Sequence, residues 1–206
     1  MSSYLPPANA PLQDLSRWTS ALLQARQTIL PKRLVWPGPD ADQLLSILGA
    51  AASAPDHGQL LPWRFVRVPD EQRARLAEVF AIALLERDGR ATAEQVAQAR
   101  EKAHRAPLLL LAIVDGARGD AAIDLHERIL SAGCAVQNML LMATAEGFGS
   151  ALTSGKALKA QSLRTLFELT PEEHAVCFIS VGTVQSRKPT RVRPAVSDYV
   201  STLSSA

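Results

Sequence analysis

Along this chain, apolar residues recur at three- and four-residue intervals in some stretches and run unbroken or alternate in others. Proline and glycine separate the two patterns. From Leu12 to Thr28, the positions Leu15, Trp18, Leu22 and Leu23 predict an amphipathic helix. Pro31, Pro37 and Pro39 then impose an extended connection, since proline fixes φ and has no N–H to donate. Asp40 or Asp42 can cap a second helix that carries Leu44, Leu45, Ile47 and Leu48 into Ala50–Ala54, where Pro55 stops it. After the polar loop Asp56-His57-Gly58-Gln59, the stretch Trp63 to Val68 alternates apolar and basic residues like a strand.

Pro69-Asp70-Glu71 is a helix start, followed by leucines and alanines at helical spacing through Leu85. A more polar helix is expected from Thr92 to His104. Pro107 to Val114 is short, apolar and closed by Asp115-Gly116, which predicts a buried strand. No proline interrupts Asp120 to Glu146, and Ser131, Ala132, Gly133 and Ala135 supply small side chains, so a long, closely packed helix is expected. Gly147 to Gly155 reads as loop and short strand, Ala160 to Leu169 as a short helix, and Ala175 to Val181 as a central strand. Three or four strands among this much helix predict a layered α+β fold. The proline-rich residues 1–11 and the polar tail from Arg193 are expected to be arms around a single domain spanning 1–206.

Composition narrows the function. Hydrophobic residues make up 47% and charged residues 20%, as in an ordinary globular protein. A net charge of +2 gives no electrostatic footprint for nucleic acid or an anionic membrane. The longest strongly apolar run, Pro107 to Val114, is too short to span a bilayer. The N-terminal stretch lacks a secretory leader pattern, and Cys134 and Cys177 lack redox or zinc spacing, so a reducing, cytoplasmic setting is expected. Four single histidines, at 57, 104, 126 and 174, form no metal motif. There is no GxSxG elbow, GxGxxG loop or Walker loop. Basic residues gather late, at Arg187, Lys188, Arg191 and Arg193, as either a solvated surface or the seat of one phosphate.

Three segments remain: the junction Ala54-Pro55-Asp56-His57 through Pro62-Trp63-Arg64-Phe65, the turn Glu146-Gly147-Phe148-Gly149, and Gly182-Thr183 before the basic tail. Each alone is a capped turn or a strand end. Together, in this order, they resemble the nitroreductase family, and most closely its short subgroup with an APDH junction and an SAGCAV helix, here Ser131–Val136. The resemblance runs from roughly Leu22 to Tyr199.

It implies a mostly antiparallel sheet flanked by helices, in an intertwined homodimer that binds FMN at the subunit interface. It also implies reduction of small electron-poor acceptors, such as nitro compounds or quinones, with NAD(P)H in a ping-pong order. On that basis Arg26, Gln27 and Thr28 would hold the phosphate and ribityl chain, with Gln27 standing where the family has a second arginine. Ser53, His57 and Gln59 would approach the flavin from the junction, where Leu61 replaces the usual Gln. Glu146 and Gly147 would lie near the flavin N5 or the nicotinamide, and Leu152, Thr153 and Ser154 would line the facing side. Arg191, then Lys188, would reach the phosphate from the tail. No catalytic side chain and no metal are implied. A different flavin reaction on the same fold, or a dimeric binding protein that has lost FMN, is compatible with the same residues.

Overall fold

The computed structural model describes residues 12–187, 189 and 192–203. The expected N-terminal arm, Lys188 and Arg191 lie outside them. Among the described residues, the helices are α1 (Leu12–Ala25), α2 (Ala41–Gly49), α3 (Arg73–Arg87), α4 (Ala93–Glu101), α5 (Leu125–Ala145) and α6 (Gln161–Leu166). The strands are β1 (Leu34–Val35), β2 (Trp63–Arg67), β3 (Leu108–Asp115), β4 (Gly149–Thr153) and β5 (Glu173–Val184). They form one five-stranded sheet in the order β1-β5-β3-β2, with β4 on the other edge of β5. All named pairs are antiparallel. The predicted α+β class and antiparallel sheet are borne out.

Alternation along β3 splits the interior in two. Leu108, Leu110 and Ala112 point with Cys177, Ile179 and Val181 of β5 into a core closed by α5 and Ile47 of α2. Leu109, Leu111 and Ile113 point with Phe178 to the other face, under α3 and α6. A strand buried on both faces reads as a continuous apolar run, which is why Pro107 to Val114 was legible. Each leucine or isoleucine so buried adds roughly 1.5–3 kcal/mol over the exposed state.

Caps place the helices. Asp40 accepts from the Gln43 N–H at 2.9 Å while the Gln43 side chain accepts from the Asp40 N–H at 3.1 Å, a reciprocal cap on α2. The long helix starts at Leu125 rather than Asp120, because the Asp124 carboxylate accepts from the N–H groups of His126 and Glu127 and fixes the start there. The first helix ends at Ala25, not Thr28. Residues 26–28 leave it, and Thr28 forms a parallel bridge to Ser150 that extends the sheet past β4.

Five strands replace the expected three or four. The added β1 is a two-residue piece inside the proline-rich connection, too short for a periodic signal. It pairs with Thr183 and Val184, beyond the point where β3 pairing begins at Val181. Gly149 and Gly182 face each other across β4 and β5. A Cβ on Gly149 would meet Val184, Ile29 and Leu34 at 2.6–2.9 Å, and one on Gly182 would meet Pro107 at 2.5 Å. The absence of two methyl groups lets the 29–35 segment lie against the sheet.

Arg128 of α5 is 1% exposed. Its guanidinium donates to the carbonyls of Ile123, Arg118, Asp120 and Asp115, tying the 115–123 loop to the helix. Replacing it leaves those carbonyls short of donors. Arg128→Met is therefore expected to lose about 2–4 kcal/mol in urea unfolding. A loss below about 0.5 kcal/mol would show that the clamp contributes nothing.

Candidate functional site

The segment after α1 and the edge strand β4 meet directly. Thr28 bridges to Ser150, and the Ile29 N–H donates to the Ser150 carbonyl at 2.9 Å. Arg26 and Gln27 are half-buried and Thr28 is exposed. Leu152, Thr153 and Ser154, further along the same edge, are exposed. Glu146 and Gly147 form the turn that feeds β4: Gly147 sits at φ +87°, and the Phe148 N–H returns to the Ala143 carbonyl at 2.8 Å. The structure thus gathers three of the predicted groups, 26–28, 146–147 and 152–154, around one strand.

Arg193, named from sequence only as one of the late basic cluster, joins them. Arg193 donates from Nη2 to the Arg26 carbonyl at 3.1 Å. Burial, and then the charge of Arg193, holds the Arg26 guanidinium below its ordinary pKa. Neither arginine has a carboxylate partner among the described residues. Guanidinium groups are chemically suited to hydrogen-bonding an anion such as phosphate. The basic tail was legible in the sequence, but the contact across 167 positions was not.

On the α3 side of the sheet a cleft of about 630 Å³ opens, within the range that holds small ligands. Leu30, Phe80, Leu84, Leu109, Leu158 and Phe178 supply its apolar wall, and Thr153 and Ser154 line it from β4. Arg87, Lys102, Arg105 and Lys156 also line it, with Asp88 as the one carboxylate. None of these charged residues was singled out as a site from sequence, because they come from the end of α3 and from three separate connections, those after α3, α4 and β4.

The junction residues lie elsewhere. His57 Nδ1 is 2.8 Å from Glu127 Oε2 in the first turn of α5, whereas Glu146 caps the last. Nineteen positions of helix separate those two, about 28 Å along the axis. Ser53 and Gln59 are exposed. Gly58, Gln59 and Leu61 all have positive φ, of 69°, 52° and 48°, and the Leu61 N–H donates to Asp56 Oδ2 at 2.7 Å. Left-handed backbone at two non-glycine residues stores strain, a common property of ligand-contacting segments. Leu61 is 45% exposed. One chain therefore does not bring His57 to the Glu146–Gly147 turn.

The layered antiparallel sheet flanked by helices, with Arg26 and Arg193 together at its edge strand, defines the chain as an α+β protein. The model of the nitroreductase family matches residues 36–183. A Haemophilus influenzae protein named "Putative NAD(P)H nitroreductase" is 34% identical over 152 residues, covering 74% of this chain and 82% of that protein. The chain belongs to the nitroreductase family. Among solved structures, a nitroreductase-like family protein from Bacillus cereus superposes with a TM-score of 0.74 at 16% identity, covering 89% of this chain and 95% of the other. A nitroreductase with bound FMN from Desulfitobacterium hafniense gives 0.65 at 18% identity, covering 90% and 98%.

Among the described residues, no group of three or more His, Cys, Asp or Glu could hold a metal ion, and no helix is long and apolar enough to cross a membrane. Cys177 is buried, and desolvation pushes its thiol up to about 11. It stays protonated at neutral pH and is no nucleophile. Native protein at pH 8 is expected to leave Cys177 unmodified by iodoacetamide, with alkylation appearing after unfolding in guanidinium. Peptide mass mapping reads both states, and labelling of the native thiol would refute the assignment.

Proposed function

We propose that the protein is an FMN-dependent oxidoreductase that acts as a homodimer, using NAD(P)H to reduce small electron-poor acceptors. One observation carries this reading: the Arg26–Arg193 pair, with no carboxylate partner among the described residues, at the edge strand of a nitroreductase-family chain. The chemistry that FMN supplies when bound is acceptance of hydride from NAD(P)H and its delivery to an acceptor such as a nitro compound or quinone, in a ping-pong order.

The protein's own task is to bind and orient. Arg26 and Arg193 hold the phosphate by charge-assisted hydrogen bonds, with Lys188 and Arg191 of the same tail as further donors. Thr28 offers a hydroxyl to the ribityl chain beside Gln27. Arg193 makes good the charge that Gln27 forgoes, which favours a chain that retains FMN over one that has lost it. Leu152, Thr153 and Ser154 form the wall along β4, and Glu146 and Gly147 supply backbone groups at its start. No side chain is assigned an acid, base or nucleophile role.

The homodimer accounts for the separated junction. Ile129 and Leu130 of α5 are 40% and 70% exposed, and Trp18 of α1 is 61% exposed, so apolar side chains stand open on both helices. Two copies crossing antiparallel on α5 would bring the Ser53, His57 and Gln59 junction of one copy to the Glu146–Gly147 turn of the other. Two unpaired cysteines fit a reducing compartment, and we place the protein in the cytoplasm.

Protein loaded with FMN is expected to be yellow and to bleach with NAD(P)H in the absence of oxygen. Arg26→Ala and Arg193→Ala should each raise the FMN Kd about tenfold or more at fixed ionic strength. Unchanged values in both variants would remove the pair from the site, and protein that takes up no FMN would sink the flavin reading. Sedimentation equilibrium should give twice the chain mass, and a monomer at micromolar concentration would refute the shared site.

A further inference from the structure

We propose that His57 is the acid that protonates the acceptor, and that Glu127 is a positioning residue that decides which nitrogen of His57 gives up the proton. The proposal rests on the homodimeric flavin reading, which requires no acid of its own, and adds a catalytic residue to it. In that reading the reactive edge of the flavin lies at the Glu146–Gly147 turn, and the antiparallel crossing of α5 carries the His57 of one copy to that turn of the other. An acceptor stacked on the ring is then beside the imidazole.

Backbone and ring of His57 are both fixed to the start of α5. A Cβ on Gly58 would lie 3.1 Å from Ile123, the residue before the capping Asp124, and one on Gly119 would lie 2.5 Å from Leu60. The turn that carries His57 is thus seated on the 115–123 loop, which Arg128 ties to the helix. Glu127, 70 positions further on, places Oε2 2.8 Å from Nδ1 of the ring. Its own N–H donates to Asp124 at 3.1 Å. The pair is exposed, with side chains 68% and 48% open, and such pairs return little stability. Left-handed backbone at Gln59 and Leu61 costs more than that return. Stability therefore does not account for the arrangement, and the aim of one side chain does.

The ionised Glu127 carboxylate only accepts, so the Nδ1 facing it carries hydrogen in either charge state of the ring. Nε2 has no hydrogen-bond partner among the described residues, and its proton is the one that can leave. With a quinone as acceptor, hydride goes to one oxygen with its two electrons and the quinone ring becomes aromatic. The other oxygen is left negative. There the Nε2–H bond breaks as an O–H bond forms, giving the hydroquinone and a neutral His57 that keeps its Nδ1 hydrogen. Two electrons have passed from the cofactor to the quinone, and water returns the proton to Nε2. Without Glu127, a neutral ring is free to hold its hydrogen on Nε2 and turn the other nitrogen outward.

Long-range proton–nitrogen NMR on histidine-labelled, FMN-loaded protein at about pH 8.5, where ordinary imidazole is neutral, reads the tautomer. His57, assigned by the loss of its signals in His57→Gln, is expected as Nδ1–H in the parent and in Glu127→Gln, whose amide oxygen still accepts. Glu127→Ala should give Nε2–H. Stopped flow then separates the half-reactions. Oxidation by benzoquinone should slow about a hundredfold in His57→Gln, the low end for a positioned acid, and about tenfold in Glu127→Ala. Glu127→Gln should restore it to within about threefold of the parent, because the hydrogen bond to Nδ1 is kept. Reduction by NAD(P)H, which consumes no proton from the protein, should change by no more than about threefold in any of them. His126→Gln, on the same turn of α5 and 95% exposed, should leave both half-reactions alone.

A benzoquinone step that His57→Gln leaves within about threefold of the parent overturns the proposal. Equal slowing of both half-reactions assigns His57 to holding the cofactor and overturns it too. So does an Nε2–H tautomer in the parent, or a Glu127→Gln variant as slow as Glu127→Ala, because Glu127 then selects nothing. A parent protein that takes up no FMN, or sediments as a monomer, refutes the flavin reading and the proposal with it. An FMN-loaded dimer whose quinone step is unmoved refutes the proposal alone.

Discussion

The arrangement of this protein depends on β5, which is hydrogen-bonded on both edges and covered on both faces. Its twelve residues pair with β3 along one side and β4 along the other, and its last two take β1. A strand in that position has its backbone groups satisfied by neighbours and its side chains divided between two cores. Each element that lines the proposed site is referred to it. β4 is set by its register on β5, the 26–29 segment by its register on β4, and the α3 side of the cleft by Phe178 and Ser180 of β5 itself.

Much of this was legible in the sequence because the strongest signals are local. The uninterrupted run before Asp115, the small-residue stretch from Ser131 to Ala135 and the capping carboxylate of Asp40 each act within a few residues. β5 was recognised over Ala175–Val181 but is longer at both ends, where Glu173 and Thr183 are polar. Glu173 is held in the strand by a bidentate ion pair with Arg64 and Val184 by pairing with Leu34, and both are tertiary effects that no window of sequence contains. The bulge that inserts Val176 between the registers of Cys177 and Ala175 escaped notice for the same reason.

The site was legible in part. Motif resemblance pointed to Arg26–Thr28 and Leu152–Ser154, which the fold draws together through Thr28 and Ser150. It also pointed to Ser53, His57 and Gln59, of which the single chain leaves His57 beside the start of α5. Spacing in sequence carries no statement about which copy of a chain supplies a residue. The charges of the cleft were invisible for a further reason: Arg87, Lys102 and Lys156 look like ordinary solvated helix and turn residues until α3, α4 and β4 are set side by side. Positive charge is then seen to be divided, two arginines at the strand edge and, along the cleft, three cations without a carboxylate partner among the described residues.

The continuity of α5 has a consequence for how related chains can vary. Its 21 residues form one rod with the His57 contact at the first turn and the Glu146 turn at the other end. Adding a single residue between them would rotate one end by about 100° against the other and lengthen the rod by about 1.5 Å. Surface loops absorb insertions, but this helix serves as a ruler with an angular scale. Descendants of the chain are thus free to change length around it and bound to keep its residue count, or to alter it by whole turns.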